Sequence, residues 1–475
     1  MAHRLLTRFL PFLAWWPLTP LILRADLLAG VIGALVQVPK AMAYAQLAGL
    51  PLQYGLYAAF VPAIIGALWG SSRHLATGPV AVVSLMTAAA VTPLAVPGSE
   101  DYIGLVLLLT LLVGCIQFVL GVVKLGSAVN FVSHPVILGF MNAAAIIIGL
   151  SQLDMLFGIP KGRSDFFFKD VWEMLGYLPL THLPTLAMSV FSLALMLVVK
   201  RIPVLARPGI LMVVLITTLV SALVGFEHNA TGRIDQIASP RAREIVDNYS
   251  RTAERIQALN NDLTELATRI RLAEKEENLR AAADLRYRLD LLDLDIRAAE
   301  AENRNRLRVI RRMYFVRAAG DGNSPPALHQ LGQEPDGLVT DGRRWRVKRI
   351  DQGGLQLMGG GEVVGSIPAG LPSFRLPGFS FDGVLQLLSA ALVIALVGFM
   401  EAISMAKAMA GTVRQRIDPN QELIGQGLAN IGGSFFQAYP ASGSFTGSAI
   451  NLQAGARTGM ALGFNGAFTA VTPLF

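Results

Sequence analysis

Charged side chains interrupt two largely apolar runs: Lys40 in VPKAMAYAQLAG (38–49), and Glu401 in FMEAISMAKAMAG (399–411), where Lys407 lies towards the end. A lysine at the centre of a membrane span costs about 2.5 kcal/mol or more, so it needs a partner or a task. Two further segments, ATGPVAVVSL (76–85) and ASGSFTGSAI (441–450), combine Gly or Pro with small and hydroxyl-bearing residues. The four segments form two matched pairs, with 38 residues from Lys40 to Gly78 and 42 from Glu401 to Gly443. Short, Gly- or Pro-interrupted segments at matching positions of two halves are the sequence pointer to a transporter's midplane binding site. The alternative is that the small residues only allow helices to pack closely.

These residues need a membrane scaffold, and the composition supplies one. Of 475 residues, 53% are hydrophobic and only 15% are charged. The charge is also concentrated: residues 227–375 hold 24 of the 40 Lys+Arg and 22 of the 33 Asp+Glu. What remains is too little to coat a water-soluble surface. The chain therefore reads as an all-α polytopic membrane protein carrying one soluble insert. Cys115 stands alone in an apolar run, which excludes an intrachain disulfide and reads as a buried thiol. The basic residues form no single patch, so no nucleic-acid partner is expected. The six His residues show no ligand spacing and no nucleotide-binding loop occurs, which leaves an enzyme reading without support.

Hydropathy places spans near 27–46, 54–70, 77–95, 101–123, 131–152, 178–200 and 207–226 before the insert. After it come spans near 383–408, 421–438, 441–455 and 457–475. The third and tenth are short and interrupted. With the N-terminus in the cytoplasm, Arg73, Lys124, Lys200, Arg201, Arg207, Lys407, Arg414, Arg416 and Arg457 all fall inside. Seven crossings then put the insert outside a cell (inner) membrane and relate the two halves as inverted repeats. The expected division is 1–226 for the first seven-span repeat, 227–360 for the extracytoplasmic insert and 361–475 for the start of the second repeat.

The stretches VPKAMAYAQLAGLPLQYGLYAAFVP, GSSRHLATGPVAVVSL, FVSHPVILGF, IPAGLPSF and IDPNQELIGQGLANIGGSFFQAYPASGSFTGSAINLQAGART resemble the signatures of the sulfate permease family of anion transporters. The resemblance implies a 7+7 inverted-repeat fold divided into core and gate domains, with the anion held between half-helix N-termini of spans three and ten. It also implies a homodimer, three further spans and a cytoplasmic STAS domain, none of which lies within these residues, so the second repeat is expected to be incomplete. The half-helix ends would lie at Val80 and Ala81 and at Thr446, Gly447 and Ser448. Facing N-termini offer unpaired N–H groups and positive dipole ends to an anion. The hydroxyls of Thr446 and Ser448 would donate to an oxyanion, or else cap their own helix. Tyr44, one turn beyond Lys40, matches an aromatic position lining the family's site, and a core role is its alternative.

Two departures from the family pattern stand out. The position matching Gly447 is usually Arg in animal members, and that matching Lys40 is usually Gln. Lys40 is therefore expected to restore the charge missing at Gly447. Glu401 matches an acidic residue associated with sodium or proton coupling, so it would bind Na⁺ or H⁺, or pair with Lys40; pairing or proton coupling is favoured over sodium. No other cofactor is expected. Replacing Lys40 by Gln should alter pH dependence or create a sodium requirement.

The insert contains no Gly or Pro over 241–313. Ile245, Tyr249, Thr252, Ile256, Leu259, Leu263, Leu266, Ile270 and Ala273 follow steps of four and three, an a/d seam. Ala282, Leu285, Leu289, Leu292, Ile296 and Ala299 begin a second, out of phase. A coiled-coil hairpin with arms of roughly 50 Å follows at 1.5 Å per residue, with a single bent helix that dimerises as the alternative. Strand-like pieces at 314–360 suggest a small β element. The insert could contact an extracytoplasmic partner through 241–313 or act as a solvated spacer. The leading functional reading is a secondary active transporter of sulfate, bicarbonate or a similar small anion by alternating access. The alternative is a non-transporting membrane scaffold or sensor presenting the coiled coil.

Overall fold

The computed structural model describes residues 10–95, 97–126, 152–159, 167–202, 209–275, 278–318, 326–335, 337–351, 354–360 and 370–474, with isolated helical positions between 139 and 150. The first half runs α1 (Pro20–Leu47), α2 (Leu52–Trp69), β1 (Ala76–Gly78), α3 (Ala81–Val91), α4 (Glu100–Val122), α5 (Leu153–Phe157), α6 (Phe167–Gly176), α7 (Leu183–Arg201) and α8 (Gly209–Val224). Next come β2 (Asn229–Arg233), α9 (Pro240–Lys275), α10 (Leu279–Arg312), β3 (Phe315–Ala318), β4 (Leu328–Gln330), β5 (Thr340–Asp351) and β6 (Gly354–Met358). The last part is α11 (Phe381–Val413), α12 (Pro419–Phe435), β7 (Ser442–Ser444), α13 (Phe445–Gln453) and α14 (Met460–Val471).

Among the described residues, five helices are long and apolar enough to cross a membrane: Pro20–Leu47, Leu52–Trp69, Glu100–Val122, Leu183–Arg201 and Phe381–Gly411. Their starts are written in the sequence. Thr19 accepts from the N–H of Ile22 ahead of a Pro at the first helical position, Ser99 from that of Tyr102, and Ser380 from that of Gly383. The span expected at 131–152, with the motif FVSHPVILGF, lies outside the described residues, as does part of IPAGLPSF. Cys115 departs from expectation: it is exposed on α4, on a face directed away from the packed helices.

The chain forms two compact units. The first comprises Met1–Ser151, Ser192–Ile216 and Gly365–Phe475. Here α12 packs along α4 and α2, α14 along α1 and α2, and α11 along α4. The two broken spans meet at the centre. Strands β1 and β7 pair antiparallel, Ala76 opposite Ser444, Thr77 opposite Gly443 and Gly78 opposite Ser442. Strand β7 runs directly into α13 and β1 reaches α3 through Pro79 and Val80, so α3 and α13 lead away from the strand pair in opposite directions. The packing is reciprocal, with α13 against α1 and α3 against α11. Gly443 permits this closeness, because a Cβ there would sit 2.7 Å from Cα of Ala402 on α11.

The second unit comprises Gln152–Phe191 and Thr217–Val364, wider than the 227–360 segment that charge density marks out. Arg312 of α10 pairs with Glu173 of α6 at 2.9 Å, which ties the insert to the segment before α7. Its five-stranded sheet has the order β2-β6-β5-β3-β4, every pair antiparallel. Ala242 and Val246 of α9 and Ile310 of α10 join Phe315, Trp345, Val347, Leu355 and Leu357 of the sheet in one buried core. Along the helix pair the residues of the two seams are buried or half-buried, as are Ala242, Val246, Asn303 and Ile310 outside them, and the contacts Thr252–Arg306 and Glu274–Arg286 show that α9 and α10 run antiparallel. Strand β2 was not legible in advance, since NATGR lacks strand alternation and is held by its pairing with β6.

Candidate functional site

Non-helical backbone at membrane depth survives only where protein groups satisfy it, and this need organises the centre of the first unit. Three-residue strands leave several backbone groups unpaired. Side chains bind the backbone at and beside the strands and tie the strands to their neighbours. Asn430 on α12 accepts from the N–H of Ala441 at 2.8 Å and donates to its carbonyl at 3.0 Å. Ser442 donates to the carbonyl of Gly398 at 2.6 Å, and the N–H of Ala76 donates to Oγ of Ser448 at 2.9 Å. Gln426 donates to Oγ1 of Thr77 at 2.9 Å.

The two helix N-termini differ in their capping. Helix α3 has Val80 as N-cap, whose side chain has no acceptor, and Ala81 is its first helical residue. Val80 is buried and Ala81 half-buried. Helix α13 has Ser444 as N-cap, and its Oγ accepts the N–H of Gly447 at 3.2 Å. The same oxygen accepts from Nζ of Lys40 at 2.8 Å. Lys40 follows Pro39 within α1 and also lies 6.0 Å from the centroid of the Tyr44 ring. An ammonium thus stands at the N-terminus of α13, one shared acceptor from the Gly447 N–H. Gly447 itself is sealed in, since a Cβ there would meet Cβ of Ala76 at 2.9 Å. Thr446 is half-buried, with no hydrogen-bond partner for its hydroxyl among the described residues.

Two expectations need correction. Lys40 and Glu401 form no ion pair: the ammonium reaches Ser444 instead, and Oε2 of Glu401 is buried without a partner. Equivalent places in an inverted repeat do not bring side chains together, because each is aimed by its own helix. Ser448 has no hydroxyl hydrogen to offer an oxyanion, because it donates to the carbonyl of Ser444 at 2.6 Å while accepting from Ala76. It is fully buried and joins the two broken spans.

Ser444 is the residue that sequence reasoning missed, and so is the supporting face of α12. Glu422, Gln426 and Asn430 recur every fourth residue on one side of that helix, a signal that was available. Asp418 caps α12 by accepting from the N–H groups of Asn420 and Gln421. Glu422 accepts from the N–H of Ser71 at 2.8 Å, its hydroxyl at 2.9 Å and the N–H of Ser72 at 3.1 Å. Gln421 donates to the carbonyl of Trp69 at 2.8 Å. The motif DPNQELIGQGLAN therefore fastens the segment that feeds β1. Asp26 does similar work before α14, accepting from the N–H groups of Arg457 at 2.6 Å and Thr458 at 3.2 Å.

Comparison with known proteins fits this geometry. The chain is 31% identical over 438 residues to "Sulfate transporter 4.1, chloroplastic" of Arabidopsis thaliana, covering 92% of this chain and 45% of that protein. It is 28% identical over 462 residues to the "Sodium-independent sulfate anion transporter" of Bos taurus, covering 95% of this chain and 58% of the relative. The chain thus spans about half the length of the curated relatives it matches. Among solved structures, the transmembrane domain of the cyanobacterial bicarbonate transporter BicA superposes with a TM-score of 0.61 at 18% identity, covering 96% of this chain and 84% of that one. The murine Solute Carrier 26 family member A9 anion transporter, in its inward-facing state, gives 0.65 at 19% identity over 99% of this chain and 60% of that one. At such identities the likeness is one of fold, that of a helical membrane transporter. Residues 23–262 and 346–475 match the sulfate permease family, and the chain belongs to that family.

Proposed function

We propose that the chain forms the membrane part of a secondary active transporter that moves a small inorganic anion, sulfate or bicarbonate, by alternating access. The anion is held between the N-termini of α3 and α13, with Val80, Ala81, Thr446 and Gly447 around it and Tyr44 lining its approach. The observation carrying this reading is the Lys40 ammonium, 2.8 Å from the N-cap oxygen of α13 and without a carboxylate partner among the described residues. An ammonium has three donors, and Ser444 takes one. The others, with the first-turn N–H groups of both helices and the Thr446 hydroxyl, make a donor set that replaces an anion's hydration shell. Helix dipoles add about half a positive charge at each terminus. In this arrangement Lys40 supplies the positive charge that Gly447 lacks. Sulfate is favoured by the names of the curated relatives, and bicarbonate by that of one structural neighbour.

Glu401, with one oxygen buried and unpartnered, is the candidate coupling group for H⁺ or Na⁺. The protein acts as a homodimer in the cell (inner) membrane, its N-terminus in the cytoplasm and its coiled-coil hairpin outside, where the hairpin meets a partner. The test is uptake of labelled sulfate and bicarbonate into proteoliposomes holding the whole gene product, with imposed proton or sodium gradients. Saturable uptake that Lys40→Gln weakens supports the reading. Absence of uptake of either anion by a folded protein overturns it and favours a scaffold presenting the helix pair.

A further inference from the structure

A second cluster of positive charge stands apart from the half-helix centre, at the end of the first unit where α2 and α11 finish. Arg73, His74, Val413, Arg414, Gln415 and Arg416 line a cavity of about 310 Å³. That is room for a tetrahedral oxyanion and several waters, at roughly 30 Å³ per water. Among the described residues none of the three guanidinium groups has a carboxylate or hydrogen-bond partner. His74 is only 5% exposed, and its Nδ1 is buried with no partner.

The cavity's frame is built and not a chance meeting of loops. Gln415 accepts from the N–H of Arg73 at 3.2 Å and donates to the carbonyl of Ser71 at 2.9 Å. Arg414 ends α11 with φ of +51°, a conformation uncommon for a residue with a Cβ. It turns the chain so that Arg414 and Arg416 lie beside Arg73. Both walls come from motifs that the half-helix site does not use, GSSRH and the VRQR preceding IDPNQE.

We infer that Arg73, His74, Arg414 and Arg416 form a second anion site, which takes a compact tetrahedral oxyanion of the phosphate or sulfate type. Guanidinium forks suit such an ion because they offer paired, charge-assisted N–H donors. The buried Nδ1 of His74 finds there the partner it lacks. By the charge distribution this end faces the cytoplasm, so the oxyanion is either a free ion of the cytosol or the phosphomonoester headgroup of a lipid. The site also touches the transport centre. The carbonyl of His74 accepts from Asn451 of α13 at 3.4 Å, and Ala76 of β1 follows two residues later. An anion clamped on His74 braces the entry to β1 and the last turn of α13, which makes the site regulatory.

The site stands whether or not the central reading holds, and binding tests it. Inorganic phosphate and sulfate are titrated against the purified chain in detergent, and retention of phosphatidic acid is measured in phosphatidylcholine nanodiscs. Wild type is compared with Arg414→Gln/Arg416→Gln and with Lys40→Gln. Each lost guanidinium should weaken binding of phosphate and phosphatidic acid about tenfold, whereas Lys40→Gln should weaken only the sulfate held at the half-helix centre. Loss confined to inorganic anions identifies a free oxyanion, and loss confined to phosphatidic acid identifies a lipid headgroup. The pair Arg414→Lys/Arg416→Lys should retain part of the affinity and guards against a folding defect. If the glutamine pair binds all three probes within about twofold of wild type, a change far below one charged contact, the site does not exist.

Discussion

Replacing Lys40 by Met separates a binding role from a structural one, because the two predict different balances. Lys40 donates to Ser444 at 2.8 Å and approaches the Tyr44 ring at 6.0 Å. Losing the charged hydrogen bond costs about 1.5–3 kcal/mol and the ring contact about 0.5–1. Against this, removing a cation from the middle of a span returns about 2.5–3.5 kcal/mol. Ser444 is not orphaned, since its oxygen keeps the N–H of Gly447. The terms nearly cancel, so the thermal unfolding of the ligand-free protein in detergent should change by no more than about 1 kcal/mol. Anion binding should change far more. A cation about 4 Å from the anion interacts with it by about 4 kcal/mol at an effective dielectric of 20. Of this, about 1.5–3 kcal/mol survives as a net charged contact, or roughly 10- to 150-fold in Kd. Equilibrium binding of labelled sulfate measures it. If Met weakens sulfate by less than about threefold, or destabilises the protein by more than about 3 kcal/mol, Lys40 is a tether for α13 and the reasoning fails.

The sequence exposed charge and breaks in apolar runs, so it led to Lys40, Glu401 and both interrupted spans. Hydropathy places the starts of three spans near 27, 101 and 421, and the capping residues Thr19, Ser99 and Asp418 that set them lie upstream. What stayed hidden depends on pairing between distant segments. Ser444 looks like one more small residue in ASGSFTGSAI until β7 is set against β1, which brings it opposite Ala76. The hydroxyl of Ser448 had two fates by sequence, and only the meeting of the broken spans shows that Ala76 claims its oxygen while Ser444 takes its hydrogen. The expected pair of Lys40 and Glu401 failed because repeat symmetry relates positions, whereas contacts depend on where each helix directs its side chain. The α12 face was legible and overlooked: polar residues four apart in a membrane helix must serve some buried backbone, and here it is the backbone of both breaks.

Three further outcomes follow from those braces. Asn430→Ala removes the side-chain partner of both the N–H and the carbonyl of Ala441 and should cost about 2–6 kcal/mol, at about 1–3 per orphaned group, read as a lowered thermal midpoint. Gly447→Ala should impair folding through its contact with Ala76, and Ala76→Gly in the same chain should restore it, because the Cβ–Cβ approach of 2.9 Å then disappears. Glu422 tests what a buried carboxylate is for. It is 2% exposed, and its Oε2 accepts from Ser71 twice and from Ser72 once. No cation pairs with it among the described residues, so its worth lies in accepting hydrogen bonds, not in its charge. Glu422→Ala strands two backbone N–H groups and a hydroxyl, a loss of about 3–5 kcal/mol by analogy with breaking a buried pair. Glu422→Gln keeps one acceptor oxygen in the same place. Its new NH₂ would face Gln426, whose Nε2 lies 3.5 Å from Oε1 of Glu422 and whose own Oε1 is buried without a partner. Turning that amide over lets Oε1 of Gln426 accept from the new NH₂ and from Thr77, so the substitution should stay within about 1 kcal/mol of wild type. Thermal unfolding of the two variants side by side decides the matter. A glutamine variant as unstable as the alanine one would mean that the charge itself holds the Ser71–Ser72 turn, and that the hydrogen-bond account of α12 is wrong.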